Sequence, residues 1–178
     1  MKATQRVIIT GGPGTGKSTI IDLLEQKGYS CHREVSREVI KQEIEKGTDL
    51  LPWNNNEGFS NLVLDGQTNQ YRKAIDGRLN FYDRGILDVI AYLRKDALPT
   101  EAMEDLAKHY PYAKKVFLTP PWQEIYAVDN ERKENFEMMK EIHQSLISTY
   151  SDFGYEVIEV PKHSAEERVQ FILSHLQN

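Results

Sequence analysis

The 178 residues include one cysteine, Cys31. A single cysteine excludes an internal disulfide and a cysteine-based zinc site, and it suits a reducing compartment. The histidines, His143 among them, stand at no metal-ligand spacing and read as surface or internally satisfied residues. No apolar run approaches the ~18 residues of a membrane span. There is no repeat and no low-complexity tract. Positive charge is also scarce: 22 Lys and Arg stand against 27 Asp and Glu, a net charge of −5. That balance excludes a dominant basic face for duplex nucleic acid, but not a local cationic pocket for one phosphate chain. No separate charged leader with a cleavage site precedes the first apolar run, so the expected location is the cytoplasm.

What is present is ordinary for a globular domain. Hydrophobic residues make up 39% and charged residues 28%. The length suits one domain over residues 1–178 with a core that needs no staples. Apolar strand patterns at Arg6–Thr10, Tyr29–Arg33, Arg78–Tyr82, Lys115–Leu118 and Tyr155–Val160 alternate with helical patterns. The helices are expected at Lys17–Lys27, Ser36–Lys46 with Ile40 and Ile44 four apart, Glu57–Ile75, Gly85–Arg94, Glu101–His109 and Asn130–Tyr150. A last helix opens on a Ser164/Glu167 capping box. This alternation predicts an α/β fold in three α/β/α layers around a mainly parallel five-stranded sheet. Ligands of such sheets bind beyond the carboxyl ends of the strands.

Gly11-Gly12-Pro13-Gly14-Thr15-Gly16-Lys17-Ser18 fits G-x-x-x-x-G-K-[ST], between an apolar strand and an amphipathic helix. Glycines let the backbone close on phosphate oxygens, and successive N–H groups with the helix N-terminus supply partial positive charge. The nucleotide-binding set is Gly11, Gly12, Pro13, Gly14, Thr15, Gly16, Lys17, Ser18 and Thr19. Lys17 reaches the β- and γ-phosphates, and the Ser18 hydroxyl is placed for Mg²⁺. The motif implies ATP, with GTP left open.

The third strand sorts the P-loop classes. Asp83 stands where a strand-end carboxylate serves the magnesium shell, and Arg84 follows it. A hydrolytic motor places a second carboxylate there to polarise water. A cation instead suits charge on a transferring phosphoryl group. The plainer reading makes Asp83 a helix N-cap and Arg84 an i,i+4 partner of Asp88. No guanine-selecting N-K-x-D string occurs. Glu34, at the end of the second strand, is a candidate to accept a substrate proton, an alternative to Asp83 in that role. Arg37, one turn later, is a candidate substrate contact.

Asp129–Lys133 carries Arg132 and Lys133, a candidate lid over the triphosphate, although charge runs are more often solvated faces. Residues 129–135 form the expected lid, and residues 35–78 the acceptor-side insertion. Trp53, Phe59 and Tyr71 are candidates to stack on a planar ring, or else core. Pro161-Lys162-His163 is a candidate adenine slot.

The strings VIITGGPGTGKSTIIDLL, REVSREVI, FYDRGILDVIAYLR and VFLTPPWQEIYAVDNERKENFEMMKEIHQ together resemble the NadR-like AAA domain family. These are P-loop proteins related to the ribosylnicotinamide-kinase domain. The resemblance runs through essentially the whole chain. It implies an α/β/α fold, nucleoside-triphosphate binding at Gly11–Ser18, and magnesium at Ser18 and Asp83. Glu34, Arg37, Arg84 and Arg132 would line the reaction crevice. The expected activity is phosphoryl transfer from ATP to a nucleoside-like or other small hydroxyl acceptor. The alternatives are a nucleotide-dependent module for a protein partner and a slow ATPase.

Overall fold

The computed structural model describes residues 3–125 and 136–176. Five parallel strands form one sheet: β1 (Gln5–Gly11), β2 (Ser30–His32), β3 (Leu79–Asp83), β4 (Lys115–Thr119) and β5 (Glu156–Glu159). Their order is β2-β3-β1-β4-β5. The chain therefore leaves β1 for the far edge, returns through β3, and then crosses to β4. This reversal around β1 opens a crevice at the carboxyl ends, the expected ligand position in such sheets. Ile9 lies opposite Asp83 and Gly11 opposite Thr119, so the end of β1 is flanked by the ends of β3 and β4.

Among the described residues seven α-helices cover the sheet: α1 (Lys17–Gln26), α2 (Val35–Lys46), α3 (Asn56–Arg72), α4 (Ile86–Lys95), α5 (Glu101–Ala107), α6 (Phe136–Asp152) and α7 (Ala165–His175). Strand side chains alternate between two faces, which splits the core in two. Val7, Ile9, Phe81 and Phe117 pack with Ile20, Ile21 and Leu24 of α1 and with Val169 and Ile172 of α7. Ile8, Tyr82, Val116 and Leu118 pack with apolar side chains of α2 through α6. Each such aliphatic side chain removed from water contributes about 1.5–3 kcal/mol before conformational entropy is counted. The three-layer α/β/α expectation holds.

Local rules set most boundaries. Gly47, at φ 69°, ends α2 in the left-handed conformation that glycine adopts without steric cost. The Asn55 side chain accepts the Gly58 N–H at the start of α3. The Ser164/Glu167 capping box opens α7 as expected. The fold also corrects the sequence reading at several points. Ile44 is 55% exposed, and α2 buries Val39 and Glu43 instead. The start of the predicted Asn130–Tyr150 helix lies outside the described residues. In α6 Met139, Ile142, Leu146 and Tyr150 are buried and Phe136 is only partly so. His143 is buried rather than superficial; its Nε2 lies 3.4 Å from Glu159, and its Nδ1 has no partner.

Candidate active site

The P-loop closes tightly between β1 and α1. Gly14 and Gly16 take φ values of 71° and 83°, and Gly16 is the N-cap of α1. At Gly11 a Cβ would stand 2.1 Å from Thr119 Oγ1, so the loop's first residue lies directly against the end of β4. The Thr15 hydroxyl is engaged inside the loop, donating to the Gly12 carbonyl at 2.8 Å and lying 2.6 Å from Thr119 Oγ1. Lys17 Nζ donates to the Gly12 carbonyl at 2.8 Å. Burial, together with the nearby Arg84 cation, pulls the Lys17 ammonium down to about 8, against the attraction of Asp83, Glu34 and Asp88. The lysine side chain thus folds back on the turn of the loop.

The strand ends bring the other candidates together. Arg84, just past β3, has φ 71°, a left-handed conformation that is uncommon for a side chain of its size. Its backbone N–H donates to the Ile9 carbonyl at 3.0 Å, tying the strained turn to β1. Its Nε lies 3.0 Å from Glu34 Oε1, and its Nη1 reaches Tyr92 Oη at 3.1 Å and Asp88 Oδ1 at 3.6 Å. Burial opposes the Glu34 charge. Arg84, Lys17, the Ser36 hydroxyl and Arg37 overcome it and hold the carboxyl at about 2. Arg37 Nε lies 3.3 Å from Glu34 Oε2, and its side chain is 40% exposed.

Asp83 is not the helix cap. Gly85 is the N-cap of α4, and its N–H donates to Asp88 Oδ2 at 2.9 Å. Asp83 is the last residue of β3, buried, with Oδ1 lacking any partner among the described residues. Burial raises its carboxyl to about 6 despite Lys17 and Arg84. An orphaned carboxylate oxygen at a strand end fits a cation. Among the described residues no group of three or more His, Cys, Asp or Glu could hold one. A magnesium here would therefore complete its shell with phosphate oxygens and water, as that ion commonly does.

A cavity of about 670 Å³ runs from the P-loop to α3. Gly14, Gly16, Lys17, Ser18 and Thr19 line one end, and Trp53, Phe59, Val63 and Gln67 the other, with Glu34, Arg37 and Arg84 between. Tyr71 is not part of it. Its ring lies under Arg6 at 4.1 Å and meets Tyr110 and Tyr112 edge-on. Pro161, Lys162 and His163 form the turn into α7 and do not line the cavity. Arg132 and Lys133 lie outside the described residues.

Two residues, Gln67 and Arg168, escaped the sequence reading, and Asp88 entered it only as the i,i+4 partner of Arg84. Asp88 is 2% exposed and organises the site: Oδ1 accepts the Thr10 hydroxyl, and Oδ2 accepts the Gly85 N–H and, at 2.6 Å, the Tyr150 hydroxyl. Its position three residues after Gly85, at N3 of α4, was the available signal. Gln67 is 3% exposed, and its Oε1 has no partner among the described residues. Arg168 touches the P-loop from α7, donating from Nη2 to the Thr15 carbonyl at 3.0 Å. Nothing in the sequence pattern marks either of these two.

Residues 6–168 match the family model described as an AAA domain. The chain belongs to this AAA domain family. No curated protein matches it in sequence. Among solved structures it is similar to deoxyadenosine kinase from M. mycoides with products dCMP and a flexible dCDP bound. That match has a TM-score of 0.68 and 14% identity over 97% of this chain and 99% of that one. NadR protein in complex with NR gives a TM-score of 0.72 and 19% identity over 98% of this chain. The match covers 51% of NadR, so the family member described here spans about half of it. Shikimate kinase from Acinetobacter baumannii in complex with shikimate gives 0.64 and 17% identity over 99% and 94%. At these identities the likeness is one of fold, and that fold is the P-loop kinase fold.

Proposed function

We propose that this AAA domain protein is a small-molecule kinase that moves the γ-phosphate of ATP to a hydroxyl of an uncharged, nucleoside-like acceptor. The observation that carries this reading is the continuity of the cavity. The P-loop and an apolar slot with one orphaned amide share one space, and Glu34 and Arg84 stand between them. Residues 35–78 form the acceptor side. A motor or a switch has no use for a second, ring-sized compartment at the γ-phosphate end.

The roles follow from position. Backbone N–H groups of Gly12 through Thr19 and the α1 N-terminus hold the phosphates. Lys17 exchanges the Gly12 carbonyl for β- and γ-oxygens. Ser18 and Asp83 would hold magnesium, which bridges phosphate oxygens and offsets their charge. Of the two candidates Glu34 lines the cavity and Asp83 does not, which favours Glu34 as the carboxylate that faces the acceptor hydroxyl. It orients that O–H and takes its proton as the new oxygen–phosphorus bond forms and the β,γ-bridge bond breaks, releasing ADP. Its depressed proton affinity rises once triphosphate charge enters the cavity. Arg84, held in place by Asp88 and Tyr92, neutralises charge on the moving phosphoryl group. The candidate lid cation Arg132 would close over the same group.

The charges lining the acceptor half balance. Arg84 pairs with Glu34 and Asp88, Arg37 with Glu34, and Lys95 with Asp96. A carboxylate or phosphate on the acceptor would find no uncommitted cation there among the described residues. Phe59 and Trp53 offer ring contact, and Gln67 offers one edge-on polar contact. The test is ATP consumption with neutral nucleosides set against nucleoside monophosphates and shikimate. Stimulation by a neutral nucleoside supports the reading. Stimulation by anionic acceptors alone contradicts it.

A further inference from the structure

Arg168 is 3% exposed and has no counter-ion among the described residues. Its Nη2 donates to the Thr15 carbonyl at 3.0 Å, and its guanidinium lies 5.7 Å from the centroid of the Trp122 ring. Nε has no partner. A Cβ on Gly16 would fall 2.7 Å from Nη1, so the side chain is wedged directly behind the turn that starts α1. Arg84, buried to a similar degree, has two carboxylates. Arg168 has a carbonyl and an indole face. Burial disfavours its charge, yet a guanidinium stays protonated in proteins. Among the described residues folding thus leaves this buried cation without an opposite charge, an arrangement that destabilises unless something supplies one.

We infer that the phosphate chain of the nucleotide is the counter-charge of Arg168, which acts as a positioning residue behind the P-loop. Through its bond to Thr15 it fixes the Thr15–Gly16 peptide, whose neighbours Lys17 and Ser18 face the ligand. Through its charge it raises the positive potential of the cradle, an effect poorly screened where water is excluded. The inference rests on the nucleotide-binding part of the reading above and not on phosphoryl transfer.

The test uses the whole chain, with Mg²⁺-free tripolyphosphate as the probe and no acceptor. Arg168→Gln keeps an N–H donor near Thr15 and removes the charge; Arg168→Lys keeps the charge. Arg168→Gln is expected to weaken tripolyphosphate binding roughly tenfold or more at low salt. The loss should shrink as NaCl is raised, and Arg168→Lys should recover most of it. The ligand-free Arg168→Gln protein should melt no lower than wild type. A lower ligand-free melting temperature with unchanged tripolyphosphate affinity would make Arg168 a packing residue and overturn the inference. If wild type itself binds no tripolyphosphate, the nucleotide reading fails first. If wild type binds and Arg168→Gln binds equally well, only the role of Arg168 fails.

Discussion

Arg84 Nε stands 3.0 Å from Glu34 Oε1, so a buried ion pair joins the residue after β3 to the segment between β2 and α2. The pair lies in the wall of the cavity midway between the P-loop and the α3 slot. Arg84 reaches it from a left-handed backbone conformation that costs on the order of 1–3 kcal/mol. Asp88 holds the other side of the same guanidinium. That strain, held by the surrounding contacts, is one reason to place the proposed phosphoryl transfer here.

Glu34→Gln removes the carboxylate proposed to face the acceptor and one partner of Arg84. Transfer to the acceptor should fall roughly 10²- to 10⁴-fold, with nucleotide affinity little changed. The variant should also melt lower at neutral pH, because Arg84 loses a buried partner. Glu34 is held at about 2 against an ordinary 4.5. Its stabilisation is therefore fully present above about pH 4.5 and is lost as pH falls through about 2. Melting curves at pH 7 and pH 3 should show the gap between the two proteins narrowing in acid. A gap independent of pH would mean Glu34 is not charged in the fold.

Asp83→Asn should have the opposite signature. Its carboxyl is raised to about 6 from an ordinary 3.8. The stabilisation it gives is complete below about pH 3.8 and lost as pH rises through about 6. The ligand-free Asn variant should thus gain on wild type as pH rises, melting a few degrees higher at pH 8. The added stabilisation from Mg²⁺ over nucleotide alone should vanish in the same variant. An Asn protein that melts lower at pH 8, or that keeps the magnesium increment, contradicts the assignment.

Gln67→Leu tests the acceptor slot. Removing an orphaned buried amide should leave the fold as stable as before or more so. The KM for a nucleoside acceptor should rise tenfold or more, while that for ATP stays put. Equal changes in both constants would show a general disturbance of the cavity rather than loss of one contact.

Gly11→Ala should be poorly tolerated, since the added Cβ meets Thr119 Oγ1 at 2.1 Å and the Thr119 carbonyl at 2.5 Å. Overpacking of this kind costs about 1–3 kcal/mol or more. Gly28→Ala is the control: it also has positive φ, at 85°, but nothing lies within 4 Å. Its cost should be the backbone penalty alone, about 1–2 kcal/mol. Urea titrations of the two should differ, with Gly11→Ala the weaker protein.

The layers and the P-loop segment between β1 and α1 were legible because hydrophobic period and glycine chemistry are local signals; the order β2-β3-β1-β4-β5 was not, because it depends on contacts far apart in sequence. The structure brings the candidates Lys17, Glu34, Asp83 and Arg84 together, because strand ends in a parallel sheet converge. Ile44 misled because its spacing from Ile40 fits a helical stripe, yet the buried stripe of α2 runs through Val39 and Glu43. Tyr71 misled because an aromatic near Trp53 and Phe59 in sequence sits on another turn of α3, against Arg6. Gln67 and Arg168 gave no signal at all. An orphaned amide and an unpaired guanidinium are defined by what fails to surround them, and only the folded chain shows that.

The most direct test of the account is nucleotide consumption by the purified protein with Mg-ATP, with and without a panel of nucleosides, nucleotides, sugars and nicotinamide riboside, and with Lys17→Ala as control. The account predicts stimulation by a neutral nucleoside-like acceptor, formation of its phosphorylated product, and loss of both in the Lys17→Ala protein. Tight nucleotide binding with no acceptor-dependent turnover across the panel would contradict it and favour a nucleotide-dependent binding module.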